Sequence, residues 1–144
     1  MSESSSWYTL RRYLIRELTG CDIQRIEDKL ASGIPDANVC WAGREFWLEG
    51  KQLRDLPARS TTYVRPELRP DQRNWIKRRK DAGGTAFVWL RVNNVGWWLF
   101  TGILEIERLV GEKLPFYTKE ELLALPHDKN CQDFVQRIKR ALCH

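Results

Sequence analysis

The chain has 144 residues, of which 42% are hydrophobic and 30% charged, with a mean hydropathy of -0.52. That is enough chain for one core, and the composition is that of a globular protein, not a disordered or fibrous one. The net charge of +5 permits a polyanionic partner, and no run reaches the roughly 18 apolar residues of a membrane span.

The first residues lack a basic stretch followed by an apolar one, so no secretory signal is read and a cytoplasmic location is expected. Cys21, Cys40, Cys131 and Cys143 form no CxxC pair and are expected as free thiols. His127 and Cys131, with Cys143 and His144, have zinc-like spacing. A site built on a fraying terminus is a poor metal cage, and the set is put aside.

Residues 1–6 read as a disordered start. Leu10, Tyr13, Leu14 and Leu18 predict a helix from Trp7 to Leu18, stopped at Gly20. A short strand is expected from Ile23 to Asp28, then a loop at Ser32-Gly33-Ile34-Pro35. Strands over 37–41 and 44–53 are joined by Ala42-Gly43, a hairpin-length connection. Residues 54–69, with Pro57 and Pro66, read as a linker too polar for the core and either functional or mobile. Pro70 opens a helix over 71–82, which Gly83-Gly84 ends. The apolar runs 86–92 and 97–100 predict strands covered on both faces. Helices follow over 103–110, 119–125 (capped by Thr118) and 132–142. The order is α, β, β, β, α, β, β and then helices. It predicts a single α/β domain over 1–144, a mixed central sheet flanked by helices, with 103–144 as a helical extension.

Charge is unevenly distributed. From Lys51 to Lys80 there are ten basic and three acidic residues, an excess of seven that leaves the rest of the chain at -2. The positive field is concentrated in the middle third.

Glu49 and Lys51 are two apart in a strand, so they share a face with Trp47, while Phe46 and Leu48 take the other. Asp36 lies six residues before Ala42 and Glu49 six after Gly43, so the hairpin brings them opposite one another. Two such carboxylates suit Mg²⁺, which prefers oxygen ligands. A metal there would polarise a phosphodiester, and Lys51 would orient or deprotonate the attacking water, or neutralise the transition state. An ExK pair alone is usually a solvated strand pair, and Asp after Pro usually a turn residue. Their joint occurrence, with a hairpin between and a basic segment after, favours the functional reading.

Gly33-Ile34-Pro35-Asp36 followed by Phe46-Trp47-Leu48-Glu49-Gly50-Lys51 resembles the PD-(D/E)xK nucleases. Leu68-Arg69-Pro70-Asp71-Gln72-Arg73-Asn74-Trp75, leading to Gly83-Gly84 and an apolar strand, is similar to the VRR-NUC branch, related to Holliday-junction resolvases. The resemblance covers about residues 22–92 and implies a restriction-endonuclease-like fold. It implies Asp36 and Glu49 as metal ligands, the Gly50 carbonyl completing the shell, Lys51 as the catalytic lysine and Gln72 as a further active-site residue. Glycine at position 50 departs from the usual apolar residue there. Many members add an upstream acid, for which Glu27 is preferred and Glu17 second.

On the helix after Pro70, Gln72, Trp75, Ile76 and Arg79 share one face, while Arg73, Lys77 and Lys80 lie on a neighbouring one. With Arg69, these cations are candidates for phosphate contacts, against the plainer reading of a solvated basic face. Of the seven tryptophans, Trp89, Trp97 and Trp98 are expected in the core, and Trp41 and Trp47 in packing. The expectation is a Mg²⁺- or Mn²⁺-dependent DNA endonuclease without organic cofactor, structure-selective, in recombination, repair or phage DNA processing. The resemblance adds a homodimer. The alternative is a non-catalytic DNA-binding or protein-interaction module on the same fold.

Overall fold

The computed structural model describes residues 3–27 and 32–143. The elements in chain order are α1 (Glu3–Glu17), β1 (Asp22–Arg25), β2 (Ala37–Trp41), β3 (Arg44–Leu53), α2 (Pro70–Asp81), β4 (Ala86–Val92), β5 (Gly96–Phe100), α3 (Ile103–Val110), α4 (Lys119–Ala124) and α5 (Cys131–Leu142). The strands form one mixed sheet in the order β1-β2-β3-β4-β5, as expected, with helices on both faces. Only β3 and β4 run parallel. They are joined through α2, because parallel neighbours need a long crossover.

Side-chain alternation along the strands divides the core in two. Phe46, Leu48, Phe87, Trp89 and Trp97 point to one face, where α1 contributes Trp7, Leu10, Leu14 and Leu18 and α5 contributes Phe134, Val135, Ile138 and Leu142. Val88, Leu90, Trp98 and Phe100 point to the other, against Trp75 and Ile76 of α2, Ile106 and Leu109 of α3 and Leu122 of α4. Each buried side chain contributes about 1.5–3 kcal/mol relative to exposure. Trp47 packs edge-on against Trp75 at 5.1 Å.

Two expectations change here. The helix α1 begins at Glu3, so residues 3–6 are not a disordered start. Ser6 is fully buried, its hydroxyl bonding to Gln52 and accepting from Arg91 at 3.4 Å, so this polar residue is held by partners from β3 and β4. The 54–69 segment is not a polar tether. Val64 and Leu68 lie in the core, and backbone bonds from Val64 to Tyr117 (2.8 Å), Leu68 to Leu109 (3.2 Å) and Lys119 to Thr62 (2.9 Å) pin it against α3 and α4.

All four cysteines are free. His127 stacks on Trp98 at 4.4 Å while Cys131 is buried on the opposite face of the sheet, so the zinc-like spacing does not bring them together. Burial pushes the Cys131 thiol up to about 12. No helix among the described residues is long and apolar enough to cross a membrane.

Candidate active site

The β2–β3 hairpin sets the first relation. Its turn residues Ala42 and Gly43 have φ of 51° and 76°, the doubly positive pattern of a tight hairpin turn. The ladder then runs from Trp41↔Arg44 to Ala37↔Leu48, which carries Asp36 opposite Glu49 and Pro35 opposite Gly50. Asp36 is 9% exposed and Glu49 1%. Both belong to the α2 face, as does Lys51, half-buried one pleat further along β3.

Backbone direction adds a donor group. The Trp47 N–H donates to Thr85 at 3.0 Å, on the β4 side, so alternation turns the Gly50 N–H and carbonyl towards β2. There the Gly50 N–H donates to Asp36 Oδ2 at 3.0 Å, fixing that carboxylate. The residue opposite Gly50 is Pro35, which has no N–H to give its carbonyl. The proline before Asp36 therefore removes the ladder donor that an ordinary residue would supply there. Glycine at position 50 has a packing reason: a Cβ there would lie 2.0 Å from Cζ2 of Trp89, whose indole fills the space.

The loop before Asp36 is locked to the start of α2. Gly33 has φ of 84°, and a Cβ on it would lie 2.2 Å from the Asp71 carbonyl oxygen, so only glycine allows this approach. Ser32 Oγ donates to Asp71 Oδ2 at 2.5 Å, and Arg69 Nε donates to Asp71 Oδ1 at 3.0 Å. Gln72, 4% exposed, accepts the Arg69 N–H on Oε1 at 3.0 Å, which caps α2 and leaves its amide NH₂ as the remaining donor group. The Arg69 guanidinium is held charged first by Asp71, and also by the fields of Glu49 and Asp36. Arg69 thus lies in the field of the carboxylate pair while remaining 61% exposed.

Hydrogen bonds from Arg69 and Ser32 lower the Asp71 carboxyl from its usual 3.8 to about 2. A depressed carboxyl contributes stability above its unfolded value and loses it as pH falls through the folded one. Asp71→Asn is therefore expected to melt below the wild type at pH 6. The two melting curves should converge as the pH approaches about 2, as thermal scans across that range would show.

Several sequence candidates are not brought to this face. The Ile26 N–H donates to the Asp36 carbonyl at 2.8 Å, so Ile26 stands opposite Asp36 and Glu27 belongs to the α1 face, with Trp7, Tyr8, Arg11 and Arg25. Glu17 accepts from Gln136 of α5 at 2.9 Å. Among the described residues no three His, Cys, Asp or Glu side chains cluster closely enough to hold a metal. Arg73 is not a surface cation: it is 3% exposed and paired with Glu107 of α3 at 2.8 Å. Lys77 is exposed but paired with Asp81 at 2.8 Å. Lys80 lines a cavity of about 430 Å³ with Arg44 and Thr85, at the start of β3, five residues and about 17 Å from Glu49.

The sequence marks Arg69 as a phosphate-contact candidate; the structure adds its position in the field of Asp36 and Glu49. Its position immediately before the helix-opening Pro70 was the available signal, since that residue caps the helix.

No family model and no curated protein matches the chain. Among solved structures it is similar to Hjc, a Holliday junction resolvase from Archaeoglobus fulgidus, at 22% identity and a TM-score of 0.45, over 67% of this chain and 76% of that one.

Proposed function

We propose that the protein is a metal-dependent nuclease that hydrolyses phosphodiester bonds in DNA, selecting branched structures over sequence. The observation that supports it is the convergence of Asp36, Glu49 and Lys51 on one face, with the Gly50 carbonyl turned to the same place. Two buried carboxylates and a carbonyl are hard oxygen donors that fit Mg²⁺ or Mn²⁺ and offer nothing to a soft metal. Asp36, Glu49 and Gly50 would hold such an ion, which supplies charge to the phosphodiester and lowers the pKa of bound water. Lys51 orients the attacking water and takes or balances its proton. Arg69 and the free NH₂ of Gln72 hold the non-bridging phosphate oxygens. The strands that carry the site offer little equipment for reading bases, so backbone contacts dominate and affinity falls with salt. A role in recombination, repair or phage DNA processing follows, as does a homodimer that cuts paired strands, on the family resemblance.

The test is cleavage of linear, flap and four-way-junction DNA by purified protein with Mg²⁺, Mn²⁺ or EDTA. Cleavage of branched DNA with metal, none with EDTA and none by Asp36→Ala is expected. Wild-type protein that binds every substrate and cuts none would instead identify a non-catalytic DNA-binding module.

A further inference from the structure

At the end of the sheet that carries Asp36, a second surface faces the other way. The groove between α1 and β1, about 190 Å³, is lined by Trp7, Tyr8, Arg11, Arg25 and Glu27. It begins one residue beyond the strand position facing Asp36, because Ile26 bonds the Asp36 carbonyl and Glu27 follows. Tyr8 is 67% exposed, an unusual position for a large aromatic, whereas its neighbour Trp7 is 3% exposed and serves the core. The Arg25 guanidinium lies 5.1 Å over the Trp7 ring. Arg11 stands one helical turn from Tyr8, on the same side of α1. Among the described residues neither Arg11 nor Arg25 is held in an ion pair, in contrast to Arg73 and Lys77.

An exposed ring flanked by two uncommitted guanidiniums, in a space the size of one base, is the chemistry that binds an unpaired nucleotide. Aromatic stacking holds the base and arginine holds the adjoining phosphates. A paired duplex cannot present a base face to Tyr8, so the groove discriminates by strand pairing. We infer that this groove holds an unpaired nucleotide of the DNA substrate, with Tyr8 stacking on its base and Arg11 and Arg25 on its flanking phosphates. The inference rests on the nuclease reading for its substrate, and it names the feature by which a flap or other DNA with an unpaired strand is told from a linear duplex. Among the described residues Glu27 is the one carboxylate that lines the groove. It accepts from a base bearing an exocyclic amine.

Binding is measured in EDTA, which separates it from cleavage, using fluorescein-labelled duplex, single-stranded and flap DNA and fluorescence anisotropy. Tyr8→Ala is expected to weaken binding of single-stranded and flap DNA by about 5- to 100-fold, leaving the duplex unchanged. Tyr8→Trp is expected to retain it. In the same titrations, 2-aminopurine at the unpaired position should be quenched by wild-type protein and not by Tyr8→Ala. Arg25→Gln is expected to lower the salt dependence for unpaired substrates alone. No loss with Tyr8→Ala, or an equal loss on duplex, overturns the inference whether or not the protein cuts DNA. Because Tyr8 is largely solvent-exposed, an unchanged melting temperature checks that the variant is folded.

Discussion

Glu49→Gln is expected to lower DNA cleavage by about a thousand-fold or more while the protein stays folded, with an equal or higher melting temperature. The loss corresponds to several kcal/mol, the scale of a metal's contribution to transition-state charge. Glutamine keeps the volume and the β3 backbone, so the Gly50 N–H bond to Asp36 and the fit against Trp89 survive. What changes is charge: Glu49 is 1% exposed, and burying a neutral amide costs less than burying a carboxylate. In EDTA the same variant should bind DNA at least as tightly as wild type, since one negative charge facing the phosphates is gone. Lys51→Met should match the loss of cleavage without that gain in affinity. Single-turnover rates with saturating protein, beside thermal melts, separate these outcomes. Cleavage within tenfold of wild type by Glu49→Gln would remove Glu49 from the site and leave the nuclease activity to be carried by other residues.

The Asp36–Glu49 relation was legible because a two-residue turn leaves no freedom of register: counting outward from Ala42-Gly43 gives the pairing that the ladder shows. Glu27 illustrates the opposite case. The β1–β2 connection is long, so its register is not encoded locally, and a shift of one residue moves a side chain to the other face. Ile26 opposite Asp36 leaves Glu27 beside Tyr8 and Arg11. The close approach of Gly33 to Asp71 was equally hidden, since its partner lies on a helix that begins 37 residues later. In the 54–69 segment, Val64 and Leu68 are isolated apolar residues with no periodicity. Their burial depends on α3 and α4, which follow much later in the chain.

These long-range contacts divide the labour between the two faces of the sheet. The α2 face holds the carboxylate pair because Gly33 and the Ser32–Asp71–Arg69 bonds dock the Asp36 loop on the helix start. The α1 face holds Trp89, and Gly50 permits it, so one residue serves both the packing of one face and, through its N–H, the position of Asp36 on the other. A substitution at Gly50 therefore disturbs the packing of the α1 face as well as the Asp36 carboxylate. The Trp89 ring would have to move before any side chain fitted.

Arg73 shows why a basic residue on an amphipathic helix cannot be assigned to DNA by its spacing. Its partner, Glu107, lies 34 positions along the chain, and their side chains are only 4% and 10% exposed. Removing one partner leaves the other charged and buried, so Glu107→Ala and Arg73→Ala are each expected to lower unfolding free energy by about 3–5 kcal/mol. That is a large share of the roughly 5–15 kcal/mol that holds an ordinary domain together. Replacing both, as Arg73→Met with Glu107→Leu, should restore most of the loss, because an apolar pair of similar volume removes both desolvation costs. Urea titrations of the four proteins give the coupling directly. DNA binding then separates the two roles of Arg73. The folded double variant should bind DNA with wild-type affinity and the same salt slope. A slope lower by about one would mean that Arg73 leaves Glu107 to meet a phosphate.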